Sequence, residues 1–267
     1  MQKDNRYLEV AIAAAKEAGR IQMEHFGHSH TVEYKGETNP VTIVDKLCDQ
    51  AIVQMVSRAF PDHDLLTEES LFEIKGSPWK WIIDPLDGTT NYFRGFPCFC
   101  VSVGLEVEGE MILGVIYNPI LDELFHAEKG AGAYLNGHRI FVSREDRLDR
   151  SFLCTGFPYD VRDHADFYLR YFREFIVESF AVRRPGSAAI DLCYLAAGRF
   201  DGFWELKLHA WDVAAGSLMI SEAGGKVTDF QGNPFSIYSG QILCSNGLIH
   251  EEMLRIIREI HSKGHGV

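Results

Sequence analysis

The stretch Trp81-Ile82-Ile83-Asp84-Pro85-Leu86-Asp87-Gly88-Thr89-Thr90-Asn91 constrains this chain more than any other, because a bulky apolar run stops abruptly in two carboxylates and a glycine-led turn. Residues 81–83 are of the kinds that favour a buried strand, and polarity begins where such a strand would leave its sheet. Open α/β sheets bind ligands at that end of their strands. Pro85 fixes its own φ and biases Asp84 toward extended backbone, so two carboxylates and the Leu86 carbonyl can converge on one side of a rigid turn. Oxygen donors of this kind suit Mg²⁺ rather than zinc. Gly88 lets the backbone approach a ligand, and the N–H groups after it make an anion site if they open a helical turn. The plain alternative is an Asp-Gly hairpin whose aspartates merely cap a helix. Two acids bracketing a proline ahead of Gly-Thr-Thr-Asn favour the metal and phosphate reading.

Two further segments deliver acids at element boundaries. Leu65-Leu66-Thr67-Glu68-Glu69-Ser70 ends a short apolar run in carboxylates, and His209-Ala210-Trp211-Asp212 places an aspartate where a helix should begin. Taken singly, the first is equally a solvated acidic turn and the second an ordinary helix cap. Two carboxylates at about 4 Å repel by roughly 4 kcal/mol at an effective dielectric of about 20. Clustered without cations, they would raise their pKa values or open the site, and bound divalent ions would reverse that penalty.

A formal charge of −12 argues against broad nucleic-acid binding. A phosphate substrate would be repelled at long range, so its attraction must be local and metal-borne. The six cysteines (48, 98, 100, 154, 193 and 244) form no Cys-x-x-Cys pair and read as buried reduced thiols of a cytoplasmic protein; Cys98 and Cys100 would share a face if both sat in one strand. Glu9, Lys16 and Glu17 closely bracket the apolar residues 10–15, so the expectation is neither an export signal nor a membrane segment.

Helical spacing of Leu8, Ala11, Ile12, Ala15, Ala18 and Ile21 predicts a long first helix, and residues 45–60 predict a second, stopped by Pro61. His25, His28 and His30 read as a solvated helix exit rather than a metal site. Alternating runs over 99–107, 111–117 and 123–126 predict an antiparallel meander. Gly130-Ala131-Gly132 is only a fragment of a dinucleotide fingerprint. Helices are expected over 163–179, 187–197, 212–223 and 248–261, the third and second of these closed by glycine. The 267 residues suffice for one domain or for two packed subdomains with a boundary near Leu148.

In order and spacing, residues 84–91, Glu68-Glu69-Ser70 and Trp211-Asp212-Val213-Ala214-Ala215-Gly216 resemble the signatures of the inositol monophosphatase family. The resemblance extends to residues 40–45, to Gly186-Ser187-Ala188-Ala189 and to Asp201-Gly202-Phe203-Trp204-Glu205, and so spans nearly the whole chain. It implies a mixed α/β (α+β) fold, a layered α-β-α-β-α sandwich of the sugar phosphatase type. It also implies Mg²⁺-dependent attack of water on a phosphate monoester, without a covalent phosphoenzyme. On this resemblance Glu68, Asp84 and the Leu86 carbonyl hold the ion that activates the water. Asp84 bridges to a second ion held by Asp87 and Asp212, which stabilises the departing alkoxide. A third ion near Glu68 and inhibition by Li⁺ are family expectations.

The resemblance also assigns roles to neighbouring groups. Gly88 and Thr89, with Asp87, grip the phosphate, while Thr89 and Asp45 orient or deprotonate the water. Glu205 accepts hydrogen bonds from ring hydroxyls bordered by Gly186, Ser187 and Ala188. Lys35 is a candidate for closing over the site, and Arg183 and Arg184 for a second phosphate or an oligomer interface; the commoner reading of all three is exposed solubilising charge. A homodimer is expected. Thr155-Gly156-Phe157-Pro158-Tyr159-Asp160 resembles bacterial members and departs from the serine-bearing segment of animal relatives, which leaves inositol specificity open. The readings are therefore an inositol-1-phosphate phosphatase, a relative acting on fructose 1,6-bisphosphate, a 3′-phosphorylated nucleotide or another polyol phosphate, and a regulatory partner of the transcription machinery.

Overall fold

The computed structural model describes residues 6–28, 32–35, 39–70, 72 and 74–263. From the N-terminus run α1 (Arg6–His25), β1 (Val32–Lys35), β2 (Asn39–Thr42), α2 (Ile43–Ala59), β3 (Asp64–Thr67), β4 (Trp79–Asp87) and α3 (Thr89–Phe93). Next come β5 (Cys100–Val107), β6 (Glu110–Asn118), β7 (Glu123–Glu128), β8 (Gly132–Leu135) and β9 (His138–Ile140). After a 3-10 turn at Leu148–Arg150 follow β10 (Phe152–Thr155), α4 (Ala165–Glu178), β11 (Ala181–Arg183), α5 (Ala188–Ala196) and β12 (Gly202–Leu206). The last elements are α6 (Ala210–Glu222), β13 (Lys226–Thr228), β14 (Gln241–Ser245) and α7 (His250–Lys263).

Alternation along the strands decides the layering, because successive side chains point to opposite faces. Trp81, Ile83, Val101, Val103, Leu105, Leu113 and Val115 pack with α1 and α2 in one core. Ile82, Cys100 and Ile116 face the other way and pack with α5 and α6 in a second core. Both faces of this sheet are covered, so its central strands read as continuous apolar runs. The sheet has seven strands in the order β3-β4-β5-β6-β7-β8-β9, with only the β3–β4 pair parallel. A five-stranded sheet, β11-β10-β12-β14-β13, closes the other side of α5 and α6. Its outer face carries Trp204 and Leu243, which pack against Tyr171 and Phe175 of α4 and Met253 and Ile257 of α7. The five layers are therefore α1/α2, sheet, α5/α6, sheet, α4/α7, as the resemblance implies.

Close approach of the middle helices depends on small residues. A Cβ at Gly114 would lie 2.7 Å from the Ala215 carbonyl oxygen, and one at Gly216 would lie 2.5 Å from Leu192. The run Ala214-Ala215-Gly216 thus seats α6 against both β6 and α5. That docking holds the start of α6 beside the end of β4.

The predicted meander is present and extends further, through β8 and β9. β4 differs from expectation: the strand does not leave the sheet at Asp84 but continues to Asp87, with a register shift between those two acids. α6 begins at Ala210, two residues before the predicted start, which puts Asp212 inside its first turn. The Gly130–Gly132 turn donates its N–H groups to the Glu222 carboxylate at 2.7 and 2.8 Å, so it binds an acid of its own chain. Cys98 is half-buried and the other five cysteines are buried, all unpaired. His30 lies outside the described residues. Among the described residues no helix is long and apolar enough to cross a membrane.

Candidate active site

Five elements aim acids at one cleft, and β4, α6 and the end of β3 supply those that cluster. The irregularity in β4 turns Asp84 and Asp87 toward each other, and the Leu86 N–H folds back to Asp84 Oδ1 at 3.0 Å. α6 supplies Asp212, whose Oδ2 accepts the His209 N–H at 2.7 Å. Carboxylate oxygens of Asp84, Asp87 and Asp212 all lie within 4.8 Å of one another. Glu68, just past β3, is fixed to the same strand by its N–H, which donates to the Ile83 carbonyl at 3.2 Å. It lines the cleft with the three aspartates.

Electrostatics shows what this grouping needs. At 4.8 Å two unit charges repel by about 3.5 kcal/mol at an effective dielectric of about 20, so three ionised pairs would cost about as much as a domain's whole stability. Burial first, then the charges of Glu68, Asp87 and Asp212, push Asp84 well above the usual carboxylate range. Burial and Asp87 do the same to Asp212. Asp87 is also raised by burial, although the Ser187 hydroxyl at 2.6 Å and the Ala189 N–H at 2.7 Å oppose it. An all-oxygen donor set with excess negative charge and few internal donors fits a divalent cation of the Mg²⁺ kind.

Beside the aspartates lies a hydroxyl relay. Thr89 Oγ1 is 2.9 Å from Asp45 Oδ1 and 3.1 Å from the Leu86 carbonyl oxygen, and its single proton can serve one of them at a time. Asp45 is held from behind by α2's capping box: its Oδ2 accepts the Thr42 N–H at 2.8 Å and the Thr42 hydroxyl at 2.5 Å. Burial pushes Asp45 upward and these bonds restrain it. Gly88 precedes the short α3 with φ 94°, and a Cβ there would lie 2.8 Å from the Cys98 carbonyl oxygen. Glycine is required on both counts.

The far wall comes from the second half of the chain. Asn91 Nδ2 reaches the carbonyls of Cys98, Pro185 and Gly186 at 2.8, 3.0 and 3.2 Å, which ties the turn after β4 to the loop before α5. That loop brings Gly186, Ser187 and Ala188 to the cleft, and β12 brings Glu205. Burial first, then Asp87, raises Glu205 to about 8, with Arg184 opposing. The structure separates the arginine pair. Arg184 lines the cleft, whereas Arg183 turns out of it and lies over the Phe152 ring at 4.9 Å, because neighbours on an extended chain point opposite ways. The side chain of Lys35 lies outside the described residues.

One acid in the cleft carries no sequence-based expectation. Asp191 of α5 lines it, and its signal was a lone acid in the apolar run Ala-Ala-Ile-Asp-Leu-Cys. Outside it, Asp160 accepts a hydrogen bond from Tyr168 Oη at 2.9 Å and pairs with Lys207, which fastens the loop whose residues 156–159 line the cleft.

The family model described as "Inositol monophosphatase family" matches residues 3–262. A fructose-1,6-bisphosphatase/inositol-1-monophosphatase of Aquifex aeolicus is 41% identical over 261 residues, covering 97% of this chain and 98% of that protein. The Nus factor SuhB of Escherichia coli K12 is 40% identical over 256 residues, covering 94% and 96%. The solved inositol monophosphatase of Anabaena (Nostoc) sp. PCC 7120 superposes with a TM-score of 0.88 at 40% identity, covering 96% of each chain.

Proposed function

The chain belongs to the inositol monophosphatase family and is a phosphoric monoester hydrolase, and on that premise we propose that its substrate is a small polyol phosphate, inositol 1-phosphate foremost. The observation that carries this reading is the meeting of Asp84, Asp87 and Asp212 within 4.8 Å, next to the Thr89–Asp45 relay. Mg²⁺ held there, with Glu68 and the Leu86 carbonyl as further donors, would lower the pKa of a water and offset charge on the phosphate and the leaving alkoxide. Two ions are the working number, with a third near Glu68 carried from the family resemblance.

The protein groups have separate tasks in this scheme. Thr89 Oγ1 orients the attacking water and hands its proton to Asp45, whose raised pKa makes it the better acceptor. The Gly88 and Thr89 N–H groups grip phosphate oxygens, which gives the left-handed turn at Gly88 a purpose. Ser187 and Ala189 hold Asp87 in one orientation, while Asn91 keeps their loop in place. Glu205 accepts hydrogen bonds from ring hydroxyls.

A kcat/KM panel with Mg²⁺ over inositol, fructose, nucleotide and glycerol phosphates tests the proposal. Inositol 1-phosphate should give the highest value. A preference of about tenfold or more for another polyol, which is about 1.4 kcal/mol in the transition state, would move the substrate there. Absence of Mg²⁺-dependent turnover on all four would sink the reading.

A second reading draws on the relatives named Nus factor SuhB, at 40% identity over most of the chain: a partner within the transcription machinery. A complex with RNA polymerase or its factors that survives Asp87→Asn would support it, and no complex at micromolar concentration would remove it. A homodimer is proposed too, supported by Val177 and Phe180, 73% and 75% exposed beside the edge strand β11. Light scattering that gives a monomer mass would overturn it.

A further inference from the structure

Asp191 is the one acid of the cleft without a task in the scheme above. It stands four residues after Ser187 on α5 and is 1% exposed, among neighbours that are otherwise apolar. Its Oδ1 is sealed from water and has no hydrogen-bond partner. Buried polar groups nearly always find partners within the protein, and a carboxyl left without one costs folding free energy. A group kept at such a cost in a ligand cleft points to a partner that arrives with the ligand.

Its surroundings indicate what that partner is. Glu205 reaches the same cleft from β12, and a Cβ at Gly156 would lie 2.2 Å from Glu205 Oε1. The bare backbone at 156 therefore makes room for the carboxyl. After burial, the Glu205 charge is the largest influence raising the proton affinity of Asp191, and Arg184 at the rim is the cation that opposes the rise at both acids. Two carboxyls, each able to accept and, when protonated, to donate, match neighbouring hydroxyls on a ring. Rotation about χ2 is soft for aspartate, so either oxygen of Asp191 can face the cleft.

We infer that Asp191 is a second specificity-determining residue beside Glu205, hydrogen-bonding a hydroxyl of the leaving alcohol, and that the substrate therefore carries at least two neighbouring ring hydroxyls. The inference rests on the phosphatase reading and deepens it: a cyclic polyol satisfies both carboxyls, whereas a ring of the same shape without hydroxyls leaves both unsatisfied. Asp191 touches the alcohol and not the reacting phosphorus, so its effect belongs in KM and in the choice of substrate.

The test compares inositol 1-phosphate with cyclohexyl phosphate, which keeps the ring and the ester but lacks every other hydroxyl. With Mg²⁺ present, kcat/KM is measured for both on the wild type, Asp191→Asn and Asp191→Ala. The preference for the inositol ester should fall by about tenfold in Asp191→Ala, as for one lost hydrogen bond, less in Asp191→Asn, and mainly through KM. Equal losses on both esters would assign Asp191 a structural role and overturn the inference, as would a preference unchanged within about twofold, well short of one hydrogen bond. If the wild type hydrolyses neither ester but turns over another phosphate with Mg²⁺, the inositol reading falls, and the inference with it. If the wild type works and only the preference fails to move, the inositol reading stands alone.

Discussion

Two buried polar clusters in this molecule are built on opposite plans. Around His250, at the start of α7, every bond closes inside the chain. Thr228 Oγ1 gives its proton to the Asp229 carbonyl at 2.8 Å, so His250 Nε2 must donate to Thr228, at 3.0 Å. His250 Nδ1 then accepts from Ser245 Oγ at 3.0 Å, and Ser245 accepts the Gly247 N–H at 3.0 Å. The imidazole is neutral, and burial pushes its pKa down to about 4. In the cleft the reverse holds. Asp84, Asp87, Asp212, Asp191 and Glu205 bring far more acceptors than the chain supplies donors, and burial pushes all five upward. A buried network that satisfies itself serves the fold; one that leaves its demands open serves a ligand.

The sharpest way to break that contrast is to neutralise one ligand at a time. Asp87→Asn or Asp212→Asn should lower Mg²⁺-dependent turnover by about 10³ or more, in line with the loss of an essential group. The metal-free melting temperature should hold or rise, because an amide relieves the repulsion among the remaining acids. Near-wild-type rates, or a variant that no longer folds, would mean that these acids serve the structure instead.

Next in size is the response to pH, where the clusters should pull in opposite directions. The folded-state pKa of Glu205 is about 8 against an ordinary 4.5, so the folded chain retains a proton that the unfolded chain has lost. Its stabilisation is complete below pH 4.5 and disappears as the pH rises to 8, with an upper bound of about 5 kcal/mol at about 1.4 kcal/mol per unit. The aspartates add to the same slope. Saturating Mg²⁺ should flatten it, since the cation replaces the protons. His250 acts with the other sign: its contribution is complete above pH 6.5 and is lost as the pH falls toward 4. Thermal melts from pH 4 to 8, with and without Mg²⁺, check both limbs. A metal that flattens the acid limb, or leaves the alkaline one untouched, would erase the distinction.

Which cluster could be read from the sequence follows from the same difference. Residues 84–91 were legible because acids, a proline and a glycine crowd into one turn, so local chemistry and site coincide. The long helices and the meander were legible by periodicity. β10, β11, β13 and β14 were not, because three to five residues carry too little pattern and their pairing is long-range. Asp191 escaped for a related reason. Its helix shows that an acid stands among apolar residues, but Glu205 and Gly156, which give it meaning, reach it only through the five-stranded sheet. The His250 network is equally nonlocal, since Thr228 arrives from 22 residues away.

Removing the imidazole should expose the cost of breaking the self-contained cluster. His250→Ala takes one hydrogen bond from each of two buried hydroxyls, leaves the Ser245 proton without its acceptor and opens a void, which should cost about 3 kcal/mol in chemical denaturation. Turnover per folded molecule should stay close to wild type, because nothing in that cluster lines the cleft. A loss below about 0.5 kcal/mol, the scale of an ordinary surface change, would show that the network carries little of the fold's stability.

Ser187 joins the two plans in one side chain, and its removal should give the smallest but most divided effect. Its oxygen accepts the Ile190 N–H at 3.4 Å as the cap of α5, and its proton goes to Asp87 Oδ2 at 2.6 Å. The first bond is closed structure, and the second orients an acid whose other demands await a cation. Ser187→Ala should therefore cost about 1 kcal/mol of stability through the lost cap. It should also raise the Mg²⁺ concentration for half-maximal activity by about tenfold, the usual scale for a partner that orients a metal ligand. A glycine replacement separates the two, since glycine caps a helix nearly as well as serine yet donates nothing to Asp87. Ser187→Gly should keep most of the stability and still lose the Mg²⁺ response. If both variants lost stability and neither changed the Mg²⁺ requirement, Asp87 would be oriented without Ser187, by the Ala188 and Ala189 N–H groups and the Cys100 thiol.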